Sequence, residues 1–123
     1  MDKDNLTGQV HNSMYHQLRA RGYAAPVDVL IDLDVLSRTD YENWRFGKVD
    51  YLERVCKVNL RRLSEIMRIV REYASRNELK PSFTFYRRYG SKGRQKLRFS
   101  KSGNESIERN YATHYLNMSM CQK

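Results

Sequence analysis

The densest reactive chemistry in the chain lies between Phe83 and Lys101. Arg87, Arg88, Lys92, Arg94, Lys96, Arg98 and Lys101 occur there with no acidic residue among them. Guanidinium and ammonium groups hold phosphates, and Tyr86, Tyr89 and Phe99 are interleaved with them. Cations that track a backbone beside aromatic faces that stack on unpaired bases suit single-stranded nucleic acid. A two-stranded basic ribbon can also enter a major groove or lie along the phosphates as a wing. Alternation predicts that Phe83, Phe85, Leu97 and Phe99 form the inner face of this ribbon. Tyr86 and Tyr89 are then the expected stacking residues.

Other reactive residues are scattered. His11, His16, His114, Cys56 and Cys121 have neither Cys-x-x-Cys nor His-x-x-x-His spacing, so no metal site and no cofactor are expected. Gly90-Ser91-Lys92-Gly93 lacks the strand, loop and helix context of a phosphate-cradling loop. His114 falls in an alternating segment and reads as an edge-strand residue. Cys56 lies in an apolar stripe and is expected to be an inert buried thiol. Asp28, Asp32 and Asp34 would hold Mg²⁺, as in a nuclease, only if they converged. No catalytic residue is assigned.

The charge distribution sharpens this picture. The chain has 123 residues, a formal charge of +9, 40% hydrophobic residues and 30% charged residues. Its length and balance fit one globular domain and exclude a disordered or collagen-like chain. Residues 1–53 hold six Lys/Arg against nine Asp/Glu, a net of −3. Residues 54–101 hold fifteen against three, a net of +12, and the remainder is neutral. An excess concentrated in one segment creates a field that polyanions follow. No apolar run reaches the roughly 20 residues of a membrane span. The polar start, Met1-Asp2-Lys3-Asp4-Asn5, has no apolar signal region, so a cytoplasmic protein with no membrane partner is expected.

These residues need elements to position them. Asn12 to Arg21 predicts a short amphipathic helix stopped by Gly22. Pro26 sits near the first position of a second helix, where a missing N–H costs nothing. Ser37 or Thr39 caps a third helix carrying Tyr41 and Trp44 and ending at Gly47. Asp50 is the expected cap of a fourth helix, the longest. Its stripe is Leu52, Val55, Cys56, Leu60, Leu63, Met67, Val70 and Ala74, with Asn59 marking either a bend or a break. Arg54, Lys57, Arg61, Arg68 and Arg71 lie roughly on its other side, where Glu65 and Glu72 can pair with Arg61 and Arg68. Pro81 ends it. The period then changes from 3.6 to 2, which predicts a hairpin with its turn at Gly90-Ser91-Lys92-Gly93. A short helix over Asn104–Asn110 and a third strand over Tyr111–Leu116 follow. The fold class is therefore α+β: an acidic helical part (1–53), a long basic helix (54–80) and a basic hairpin segment (81–123).

Within the acidic part, residues 25–48 run helix, turn, helix and end in Trp44-x-x-Gly47-Lys48. This segment resembles the helix-turn-helix of the phage repressor and Cro type, in which the second helix often ends in this pattern. The resemblance implies core positions at Leu30 and Tyr41, the apolar residue after the turn at Leu36 and a cap at Ser37. The chain departs from the family at Ile31, where a small residue is usual, and at Val35, where glycine is usual. Asp28, Asp32, Asp34, Asp40 and Glu42 would repel phosphate. Charge thus assigns this unit to packing, with Asn43 and Arg45 the residues still able to reach a base.

The leading expectation is a small, regulatory nucleic-acid-binding protein, for DNA or RNA. Its expected contacts are Arg87, Arg88, Lys92, Arg94, Lys96, Arg98, Lys101, Arg54, Arg61, Arg68, Tyr86 and Tyr89. The alternative is a protein-interaction module whose polarity meets an acidic protein or a second copy. A metal-dependent nuclease is the third reading.

Overall fold

The computed structural model describes residues 3–90 and 96–118. Helix α1 spans Lys3–Arg21, α2 Pro26–Asp32, α3 Arg38–Arg45, α4 Leu60–Arg76 and α5 Glu105–Ala112. Three short strands are β1 (Tyr23–Ala24), β2 (Lys80–Phe83) and β3 (Thr113–Leu116). They form one antiparallel sheet in the order β1-β3-β2. The α+β class is thus the observed one.

Helix α1 begins well before Asn12. Leu6, Val10, Met14 and Leu18 recur every four residues and are all buried. One face of the helix is therefore continuous from its first turns, although polar residues and Gly8 surround Leu6 and Val10. Burying such side chains stabilises by about 1.5–3 kcal/mol each, more than one exposed Gly costs a helix. The facing surface of α4 buries Leu63, Ile66, Met67, Ile69, Val70 and Ala74. Gly22 ends α1 with φ +83°, a left-handed conformation that glycine takes without strain.

Helix α2 starts at Pro26 as expected. The turn after it uses Asp34, at φ +61°, as its left-handed residue, and Val35 is buried. Asp tolerates this region far better than a β-branched residue, so the chain turns one position before Val35. Ser37 caps α3 by accepting the Asp40 N–H at 3.0 Å. Leu30, Leu36 and Trp44 are fully buried, and Gly47 turns the chain at φ +79°.

The expected long helix from Asp50 is two pieces. Leu52–Val55 forms a 3-10 turn, residues 56–59 make an irregular link with a bend at 57–58, and α4 follows. Asn59 is extended (φ −78°, ψ 172°), and its side-chain oxygen accepts the Arg62 N–H at 2.9 Å. A side chain that satisfies the first free N–H groups starts a helix rather than continuing one. At 17 residues α4 is shorter than the 19 of α1, so the longest helix is the first. Arg54 and Lys57 consequently lie off the long helix, and Asp50 pairs with Arg54 at 3.1 Å instead of capping.

The ribbon also differs from its expected form. Its ladder among the described residues is the Arg87–Lys96 bridge, supported by Leu97 N–H to Tyr86 O at 2.8 Å. Phe83 and Phe85 are 48% and 47% exposed, whereas Tyr86 and Phe99 are buried. Alternation separates two faces but does not say which is inner, and a slip of one residue exchanges them. Here Tyr86 packs on Trp44, at 5.7 Å between ring centroids. The expected helix near the C-terminus is present as α5, capped by Asn104, and takes in Tyr111 and Ala112. The expected strand is shorter, β3, and is central, so His114 is not on an edge strand. Pro81 lies on edge strand β2, where its missing N–H spoils no ladder bond.

Residues 98–101 are held by carboxylates of α5 and of the 3-10 turn. Glu108 accepts the Phe99 N–H at 3.0 Å, the Ser100 N–H at 2.7 Å and the Ser100 hydroxyl at 2.6 Å. Glu53 accepts the Lys101 N–H at 2.9 Å and the Tyr111 hydroxyl at 2.7 Å. The Trp44 Nε1–H reaches Arg98 O at 2.8 Å. This carboxylate frame fixes the far end of the basic segment.

Candidate nucleic-acid interface

Phe83 ends β2 and Phe85 follows it, and their rings meet edge to face with centroids 4.9 Å apart. Three cations stand over the pair. Lys96 Nζ is 4.5 Å and the Arg87 guanidinium 5.0 Å from the Phe85 centroid. Arg109, from α5, is 5.2 Å from that of Phe83. None of the three forms an ion pair among the described residues. The bridge between Arg87 and Lys96 puts both over one ring, and β3 beside β2 brings α5 close enough to supply Arg109. A cavity of about 410 Å³ opens beside the rings and is lined by Lys96, Leu97 and Arg109 and also by Glu105 and Glu108, the latter engaged by the Phe99 and Ser100 N–H groups. Exposed aromatic faces with attached cations are the parts of a stacking platform.

The expected contact residues divide. Arg87 and Lys96 belong to the platform. Tyr89 stays 39% exposed, edge to face with Phe46 at 5.1 Å. Tyr86 is a correction: it is buried, its hydroxyl bonded to His114 Nε2 at 3.0 Å, and has no free face for a base. Burial also raises its pKa, so the phenol stays neutral. Arg98 turns back on the chain, donating to Ser100 O at 2.9 Å and Lys101 O at 3.1 Å. Arg88 donates to Phe46 O at 3.3 Å and covers Gly47. Lys92 and Arg94 lie outside the described residues.

The helical cations form a separate group. Arg68 pairs with Glu72 at 2.9 Å, as expected, but Glu65 pairs with Arg62 at 3.5 Å rather than with Arg61. Arg61 lines a groove with Lys57 and Arg71 at the start of α4. Arg71 and Lys101 share a second cavity between α4 and α5. Helix α5 stands between that cavity and the platform, with residues lining each. Sequence reasoning missed Phe83 and Phe85, which it assigned to the core, and Arg109, which only the tertiary fold brings near. The continuous aromatic and basic pattern was the available signal for the first two.

The acidic trio does not converge. Asp28 pairs with Arg21 at 2.6 Å, Asp32 accepts the Ser13 hydroxyl at 2.6 Å, and Asp34 occupies the turn. Among the described residues no group of three His, Cys, Asp or Glu side chains is placed to hold a metal. Burial, with Glu53 and Asp40 nearby, pushes the Cys56 thiol up to about 12, so it is not a nucleophile at neutral pH. Cys121 lies outside the described residues. Among the described residues no helix is long and apolar enough to cross a membrane.

His114 stacks on Tyr23 at 5.3 Å and is half-buried. Burial lowers its pKa below the ordinary 6.5, with Arg21 adding to the effect and Asp28 opposing it. The unfolded chain therefore takes up this proton first. Stability is expected to fall as pH drops through about 6.5 and to level off below the folded value. Urea unfolding of wild type and His114→Gln at neutral and mildly acid pH checks this. Equal pH dependence in the two proteins would remove His114 as a cause.

Comparison of the chain with protein-family models, curated proteins and solved structures finds no match.

Proposed function

We propose that this protein binds single-stranded nucleic acid, DNA or RNA, in a regulatory role. Bases stack on Phe83 and Phe85, and Arg87, Lys96 and Arg109 hold the phosphates. The reading is carried by one observation: three cations without carboxylate partners stand over an exposed pair of phenylalanine rings. Exposed aromatics cost solubility when left bare, and a base replaces water on them favourably.

The test is a salt titration of labelled single strands, read by fluorescence anisotropy. Affinity is expected to fall steeply with salt, since each phosphate contact releases counterions. Substituting glutamine for Arg87, Lys96 and Arg109 together should reduce the magnitude of the log-log salt slope by about 2 for a single strand, at about 0.7 per contact. Absence of binding to DNA and RNA strands at low salt would sink the proposal. Leu60 and Ile107, 54% and 39% exposed beside the α4–α5 cavity, favour a second reading as a protein-docking module. Salt-sensitive self-association in sedimentation, without strand binding, would support that alternative.

A further inference from the structure

A third cavity, of about 310 Å³, also meets Phe85. Phe85 and Tyr86 line both this cavity and the one beside the platform rings. Two cations line it: Arg21, which pairs with Asp28, and Arg45, the last residue of α3. The Arg45 guanidinium lies 4.3 Å from the ring centroid of Tyr89, 5.2 Å from that of Tyr86 and 5.8 Å from that of Tyr41. Nη1 donates to the Tyr41 hydroxyl at 2.9 Å. Nε is buried and has no hydrogen-bond partner. No carboxylate pairs with Arg45 among the described residues. Asp28 also faces the cavity, but Arg21 holds it at 2.6 Å. His114 faces it too, with Nε2 engaged by Tyr86.

A half-buried guanidinium with one neutral acceptor is costly unless something else completes its shell. The tyrosine faces and the C-terminal end of α3 offset part of that cost. They provide no acceptor for the remaining N–H bonds. A guanidinium fork is shaped for two oxygens of one anion. The cavity is larger than a bare ion and shares the Phe85 wall with the platform. We infer that it receives a phosphoryl group, with Arg45 as the anchoring cation. The strand's terminal phosphate and a free phosphomonoester both carry this chemistry. The first source rests on the platform reading; the second does not.

Two measurements separate the sources. Oligouridylates of about ten nucleotides, enough to cover one binding module, are compared with and without a terminal phosphate at either end. Inorganic phosphate is titrated into isotope-labelled wild-type protein while the Arg45 Nε–H resonance is followed. A strand-end source makes the phosphorylated strand bind about tenfold tighter, and Arg45→Gln removes that difference while leaving the rest of the affinity. A free-phosphate source shifts the Arg45 resonance saturably with no end preference. If Arg45→Gln fails to fold, the wild-type resonance and end preference decide alone. Strand binding with neither an end preference nor a phosphate-dependent shift overturns the inference and leaves the platform standing. A saturable shift with no strand binding does the reverse.

Discussion

Alanine in place of both Phe83 and Phe85 is expected to weaken binding of an unstructured pyrimidine strand about a hundredfold. Each base stacked on an aromatic side chain contributes about 1–3 kcal/mol, and a factor of ten corresponds to about 1.4 kcal/mol. Two rings therefore account for about two orders of magnitude. The loss extends beyond stacking, because Arg87, Lys96 and Arg109 each rest against one of these rings. Without them the cations gain freedom that binding must remove. Each ring is about half exposed, so the thermal midpoint should change little. Anisotropy at fixed salt with paired thermal melts is the check. An affinity within twofold of wild type would remove the platform from the mechanism.

The second large effect is on stability. Trp44→Ala is expected to cost about 3–5 kcal/mol, the usual range for deleting a large buried aromatic. Trp44 is fully buried and its ring meets Phe99 at 5.1 Å, Tyr86 at 5.7 Å and Tyr41 at 6.1 Å. Its Nε1–H also holds Arg98 O, so the variant loses a bond between the front of the chain and its basic segment. Total stability of such domains is about 5–15 kcal/mol, so the variant should be marginal near body temperature. Trp44→Phe should recover much of the packing but not the bond. Urea unfolding measures both. A cost below about 1 kcal/mol for alanine would contradict the packing described, since surface substitutions fall in that range.

Much of this architecture was readable from residue order. Pro26, Ser37, Gly47 and Asn104 each mark a helix end by local chemistry that tertiary structure did not override. Asn59 shows the limit: the apolar stripe runs unbroken through it, and only the side-chain cap decides that the helix restarts there. Leu6 and Val10 were hidden among polar neighbours, yet their spacing matches Met14 and Leu18. The site was legible as composition and not as geometry. The basic run was visible, but period-2 alternation left open whether Phe85 or Tyr86 faced inward. Trp44, about forty residues away in sequence, settled that choice. Arg109 could not be assigned to the site from local sequence, because β3 and α5 position it.

The order β1-β3-β2 bears on how the protein is made. The strand that joins the other two is the last of the three to leave the ribosome. Until Thr113–Leu116 emerges, β1 and β2 have no partner in this sheet. The helices can form early from local hydrogen bonds, but the sheet must wait until residue 116 has emerged. Completion of the platform is thereby coupled to the emergence of β3. Chains released before residue 113 would display the basic run without the sheet that arranges it.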